Sequence, residues 1–232
     1  MSLFALLFDI LVIGQHLLGA EFGRTIEGAL RAERIEARVE TQARPERALA
    51  AQWALAGEAS VNGRARIAEG GVGAVILADA IHPGGVEQPD AATIEAAANW
   101  HGFAAGARPD ARILVLAPWT APGGDLATWA ARIEADHAAA RRLADAVNAA
   151  RLPDTPPLMV VPAGPALVAL AERIAAGGVP GLRAPSDLFV DGARLNDRGE
   201  YLVAALIHAA VTGRPPDRLP DRLRRLWSSR DA

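Results

Sequence analysis

The stretch Asp9-Ile10-Leu11-Val12-Ile13-Gly14-Gln15-His16-Leu17-Leu18-Gly19 decides how the rest of the chain is read. After Asp9 the residues to Ile13 are aliphatic or β-branched, with no polar alternation. That pattern belongs to a strand buried on both faces of a parallel sheet. Gly14 permits a sharp turn, and a helix follows from Gly23 to Ala32 with Ile26 and Leu30 on one face. A first strand running through a short loop into a helix places that loop at the carboxyl edge of the sheet, where open α/β folds bind ligands. The exposed polar pair on this turn is Gln15-His16. No Ser, Thr or Cys, the hydroxyl and thiol nucleophiles, lies between Asp9 and Phe22.

Working outward, the same grammar repeats. Ile35 to Glu40 alternates apolar and charged residues, which predicts an edge strand. Pro45 suits the first turn of a helix running to Ala56, with Leu49, Trp53 and Ala56 on one stripe and Trp53 read as core. Val72 to Ala78 is a second strand without a polar face, ending in the polar cluster Asp79-Ala-Ile-His-Pro83. A helix from Ala91 to Ala105, a strand from Ala111 to Leu116 and a long helix from Leu126 to Ala150 follow. Leu158 to Val161 is the last strand, Pro165 opens a helix that ends by Gly177-Gly178, and Asp197 to Val211 is the final strong helix. Strand–helix alternation without an internal repeat predicts a three-layer, doubly wound α/β fold with five parallel strands. Its expected order is 2-1-3-4-5, with Asp9–Ile13 and Val72–Ala78 adjacent in the middle.

The composition narrows the function classes. At 232 residues the chain reads as a single domain over 1–214 followed by an Arg-rich tail over 215–232. The absence of Cys excludes disulfides, Cys-ligated zinc and thiol nucleophiles, and leaves the redox compartment open. A net charge of −3 and a pI near 6.0 give no global attraction to nucleic acid, so none is expected as a partner. In the tail, Leu219, Leu223, Leu226 and Trp227 recur at helical spacing, and the neighbouring arginines are offset by Asp217 and Asp221. This predicts a short helix docked on the body or on a partner. Met1 to Phe8 is apolar but lacks a basic n-region and a small-residue cleavage site, and is too short for a membrane span. The chain as given reads as cytoplasmic, or as periplasmic or secreted if translation starts further upstream.

Two blocks resemble a known family. Ile10-Leu-Val-Ile-Gly-Gln-His-Leu-Leu18 is similar to the first block of the SGNH (GDSL-type) hydrolases, the strand and turn that carry a nucleophilic Ser. Asp187-Leu-Phe-Val-Asp-Gly-Ala-Arg-Leu-Asn-Asp-Arg-Gly-Glu-Tyr-Leu-Val-Ala204 is similar to the last block, in which an Asp is followed three residues later by a His, then Leu-Asn, a Gly and a helix. The similarity runs in order and spacing over roughly Asp9 to Leu219, more weakly in the middle. It implies ester hydrolysis, in which Ser attacks the acyl carbon, His takes its proton and Asp orients the His. A backbone N–H, a Gly and an Asn would stabilise the oxyanion.

Residue by residue, the chemistry is missing. His16 stands in the Ser position and Arg194 in the His position, three residues after a retained Asp191. The Gly of the second block would fall near Ala43 or Arg44, and Asp79 stands where the Asn of the third block is expected. Arg stays protonated at neutral pH and cannot act as a general base. Losing nucleophile and base together costs on the order of a million-fold in turnover. The leading expectation is therefore a catalytically degenerate esterase-like protein that binds or assembles, without a cofactor. Its candidate ligand-binding residues are Gln15, His16, Asp79, His82, Asp191, Arg194 and Asn196, for a small acyl, sugar or anionic ligand or a protein partner. Asp191 and Arg194 are read either as a plain ion pair or as part of an anion or sugar pocket with His16. One alternative is an active hydrolase of carbohydrate or lipid acyl esters with an unusual nucleophile. Ser2, Ser60, Ser186, Ser228 and Ser229 miss every strand-to-helix turn, which leaves Thr120 as the substitute. A second alternative is metal-assisted hydrolysis by His16, Asp79, His82 and Asp191, for which no tight ligand spacing exists. His101, His137 and His208 fall on expected helices and read as packed or surface residues.

Overall fold

The computed structural model describes residues 8–14, 17–18, 21–43, 48–54, 56–78, 80–82 and 88–216. Its strands are β1 (Phe8–Ile13), β2 (Ala37–Gln42), β3 (Val72–Leu77), β4 (Arg112–Leu116) and β5 (Leu158–Val161). Its helices are α1 (Phe22–Ala32), α2 (Leu49–Ala54), α3 (Gly63–Ala68), α4 (Ala91–Ala107), α5 (Leu126–Ala150), α6 (Ala163–Ala175) and α7 (Asp197–Thr212). All strand pairs are parallel, in the order β2-β1-β3-β4-β5. As the unbroken aliphatic runs predict, β1 and β3 are neighbours inside the sheet, in the register Ile10↔Ala74 to Ile13↔Leu77.

The two-residue period of the strands sorts their side chains into two cores. Ile10, Val12, Ala74, Ile76, Leu114 and Leu116 face α1, α6 and α7. Leu11, Ile13, Val75, Leu77, Ile113 and Val115 face α2, α3 and α4. Helix α5 serves both layers. Trp129 and Ile133 near its start join the first core, and Ala139, Leu143 and Val147 join the second. Each such aliphatic side chain, fully buried, contributes roughly 1.5–3 kcal/mol. Asn62, Asp90 and Asp125 accept hydrogen bonds from first-turn amides of α3, α4 and α5, which pairs donors that a helix start leaves open.

Several boundaries move, each for a local reason. The edge strand β2 starts at Ala37 rather than Ile35, because the Ile35 amide closes on Leu30 O after a left-handed Arg34 (φ 62°). It extends past Glu40 because Gln42, though polar, is fully buried and paired. Its Nε2 donates to Gln52 O (2.8 Å) and Oε1 accepts from the Gly63 amide (2.9 Å). Helix α2 is described only from Leu49 to Ala54, followed by a 3-10 turn over Ala56–Glu58. Trp53 on α2 is half-buried rather than core, edge-on to Trp100 and Phe103 with Arg64 over its ring.

Asp9, the polar start of an otherwise aliphatic strand, is held by Arg66 of α3 (2.8 Å), which also bonds Glu40 of β2 (2.5 Å) and Glu69. The hydrogen bond and charge of Glu40 raise the Arg66 pKa above its ordinary value. Helix α3 is thereby pinned across β1 and β2. Among the described residues, no helix is long and apolar enough to cross a membrane.

Candidate functional site

The carboxyl ends of the strands are where this fold can place a ligand, and two distant segments meet there. The first is the continuation of β4, Ala117-Pro-Trp-Thr-Ala121, whose Ala117 amide still bonds Val161 O at the end of β5 (3.0 Å). The second is the turn between a 3-10 segment over Pro185–Leu188 and α7. That turn folds on itself through an antiparallel bridge between Phe189 and Leu195, with the Val190 amide donating to Arg194 O (2.8 Å). Two bonds join the segments: the Ala121 amide donates to Gly192 O (2.7 Å) and Trp119 Nε1 to Ala193 O (2.9 Å). Trp119 is completely buried. Trp129 at the start of α5 adds a third fastening by donating from Nε1 to Thr120 O (2.9 Å). The loop carrying Asp191 and Arg194 is thus fixed at the carboxyl end of β4.

Close backbone approach explains two glycines here. A Cβ on Gly164, in the first turn of α6, would lie 2.5 Å from Pro118 O and 2.8 Å from Ile133 Cγ2. A Cβ on Gly199, in the first turn of α7, would lie 2.7 Å from Leu188 O and 2.8 Å from Leu195 Cδ2. Both helices therefore rest directly on the loops they support.

Within the turn, Arg194 Nη2 donates to Asp191 Oδ2 at 2.5 Å, and both side chains are more than half exposed (57% and 56%). Asn196 is spent on structure. Its Oδ1 accepts from the Arg198 and Gly199 amides at the start of α7, and its Nδ2 donates to Asp187 O (2.6 Å). Asp187 Oδ2 accepts from the Arg183 and Ala184 amides, which hold its carboxyl below the usual range. His82 is exposed, a few residues beyond β3. Gln15, His16 and Asp79 lie outside the described residues, as do Arg44 and the tail beyond Pro216. Thr120 lies at this edge, and its Oγ1 is buried without a hydrogen-bond partner among the described residues.

Three histidines stand away from the edge. His101 is buried with Nε2 against Pro156 O (2.7 Å), and His208 is fully buried in α7. His137 on α5 has its pKa lowered, chiefly by burial. Among the described residues, no group of three or more His, Asp or Glu could hold a metal ion. The Trp119 and Trp129 fastenings and the Gly164 and Gly199 contacts carry no motif; only the last-block resemblance pointed to the turn they support.

No protein-family model matches the sequence, and no curated protein aligns with it. Solved structures do match. A chain from Parabacteroides merdae described as a GDSL-like lipase superposes with a TM-score of 0.59 at 12% identity, over 88% of this chain and 95% of that one. A chain from Slackia heliotrinireducens described as an SGNH hydrolase gives 0.53 at 20% identity, over 88% and 98%. A DUF4886 family protein from Bacteroides uniformis gives 0.59 at 12% identity, over 93% and 88%. With the parallel sheet in the order β2-β1-β3-β4-β5 and helices on both faces, these superpositions give the chain the SGNH (GDSL-type) hydrolase fold.

Proposed function

We propose that this chain uses the carboxyl edge of an SGNH fold to hold an anionic ligand, and that it does not cleave esters. The Asp191–Arg194 ion pair carries this reading. In an ester hydrolase of this fold the carboxylate would orient a neutral imidazole able to take a proton. Here it faces a guanidinium, which has no proton-accepting atom and stays charged. The pair is exposed, and exposed pairs contribute only about 0–1 kcal/mol. A carboxylate or phosphate on a ligand can therefore take over the guanidinium fork at little cost and bind it in a bidentate way. The bonds to Gly192 O and Ala193 O hold the turn that carries Arg194 at the sheet edge, which supports this reading.

The test has two arms. Wild-type protein is assayed with nitrophenyl acyl esters of several chain lengths, alongside His16→Ala and Asp191→Ala. Hydrolysis at background in all three is expected. Inorganic phosphate is then titrated while amide resonances are followed, with shifts around 191–194 expected in wild type and lost in Arg194→Gln. Clear ester turnover that disappears with His16→Ala would make His16 a catalyst and end the binding reading.

The second reading, an active hydrolase, draws on Thr120, whose buried hydroxyl stands at the right edge beside the 191–194 turn. Nucleophilic attack needs a base within hydrogen-bond reach, and none contacts this hydroxyl among the described residues. Turnover abolished by Thr120→Val and kept by Thr120→Ser would favour it.

A further inference from the structure

Helix α7 has an unusual outward face. Its inner face, built on Val203, Ala204, Ile207, His208 and Val211, is buried against the sheet layer between α1 and α6. The opposite stripe is Leu202, Ala205, Leu206, Ala209 and Ala210, all half-buried, and from Tyr201 to Thr212 the helix carries no charged residue. A surface helix ordinarily shows a polar stripe on this side. The neighbouring α1 does, with Arg24, Glu27 and Arg31.

We infer that this stripe is the seat of the chain's own C-terminal segment, residues 217–232. The end of α7 prepares a reversal. Gly213 takes the left-handed conformation (φ 77°), and Arg214 turns toward Glu33 beyond the end of α1 (3.7 Å). Pro215 and Pro216 cannot continue the helix. A connection from Gly213 to Asp217 suits two antiparallel helices. Leu219, Leu223, Leu226 and Trp227 fall within one arc of a helix, while Arg218, Arg222, Arg224, Arg225, Asp217 and Asp221 fall on the rest. The lengths agree as well. Pro220 suits the first turn of a helix; at 1.5 Å per residue, Pro220 to Trp227 rises about 10 Å, and Leu202 to Ala210 about 12 Å. An apolar stripe thus meets an amphipathic segment of similar length, tethered at the right end.

The absence of cysteine makes the test direct. Ala205→Cys, at the end of the stripe that an antiparallel segment brings to Trp227, is labelled with bimane, which tryptophan quenches at close range, and compared with the same chain carrying Trp227→Phe. The label on α7 should brighten when Trp227 is removed, while a label at Ala107→Cys on α4, across the sheet, should not change. No brightening at position 205 overturns the inference. Brightening that vanishes on dilution also overturns it, because the segment would then come from a second copy. A label can itself block the seat, so Leu206→Ala and Leu223→Ala are combined in an unlabelled double-mutant cycle. Melting shifts that fall short of the sum of the single shifts are expected, and strictly additive shifts reject the contact.

Discussion

Replacing Gly199 by alanine should loosen the support of the candidate site, in the opposite sense to the same change elsewhere. The new methyl would sit 2.7 Å from Leu188 O, 2.8 Å from Leu195 Cδ2 and 3.1 Å from Leu195 Cβ. Two of these neighbours cannot swing aside, because Leu188 O already accepts the Asn196 amide (3.0 Å) and Leu195 is buried. The first turn of α7 must lift off the turn that carries Asp191 and Arg194. Overpacking of this kind costs about 1–3 kcal/mol, against a gain of roughly 0.8–1 kcal/mol for alanine over glycine in a helix. The net is a loss of up to about 2 kcal/mol, and for a chain of this size each kcal/mol moves Tm by roughly 2–4 °C. Gly102→Ala in α4 supplies the control, because nothing lies within 4 Å of its Cβ and its φ is not left-handed. It should gain roughly 0.5–1 kcal/mol. Thermal melts followed by circular dichroism read both. A Gly199→Ala variant that gains stability as Gly102→Ala does, or a Gly102→Ala variant that melts lower, would refute the packing argument.

Trp119→Phe keeps a ring but leaves Ala193 O without this donor; loss of such a hydrogen bond costs about 0.5–1.5 kcal/mol, to be read by urea unfolding, with faster amide exchange at 191–194. Introducing His16→Ser or Arg194→His alone should leave ester hydrolysis at background, and the double variant should equal or slightly exceed them. Each absent oxyanion donor still withholds roughly a hundred- to a thousand-fold, and a nitrophenyl ester assay that ranks a single variant above the double contradicts this order. Asp187 has a depressed pKa from two backbone donors, so its contribution is complete above the unfolded value of about 3.9 and is lost as pH falls through the lower folded value. Asp187→Asn should therefore flatten the acid side of the stability curve below about pH 4, and an unchanged slope counts against the assigned bonds. His137 has its pKa lowered by burial, so protonation favours the unfolded chain as pH drops below about 6.5; His137→Gln should remove that part of the acid sensitivity.

The sequence by itself determined the architecture. Ile10–Ile13 and Val72–Ala78 lack a polar face, so both strands had to lie inside the sheet, and the alternation of strands with helices fixed parallel pairing. The Asp191–Arg194 spacing also made their ion pair legible, since three residues suffice to bring the groups together in a tight turn. These are local properties, written in neighbouring residues. What lies far apart in sequence was decided by the tertiary structure. No pattern around Trp119 announces that its indole N–H will meet Ala193 O, and none around Gly164 or Gly199 announces a carbonyl within van der Waals reach. Nor does composition reveal that Asn196, a candidate ligand donor by type, spends its amide on capping α7, or that the polar Gln42 ends a strand in the core. A hydrogen-bonding side chain takes whichever partner the fold delivers, and that partner is settled only when the two segments have packed.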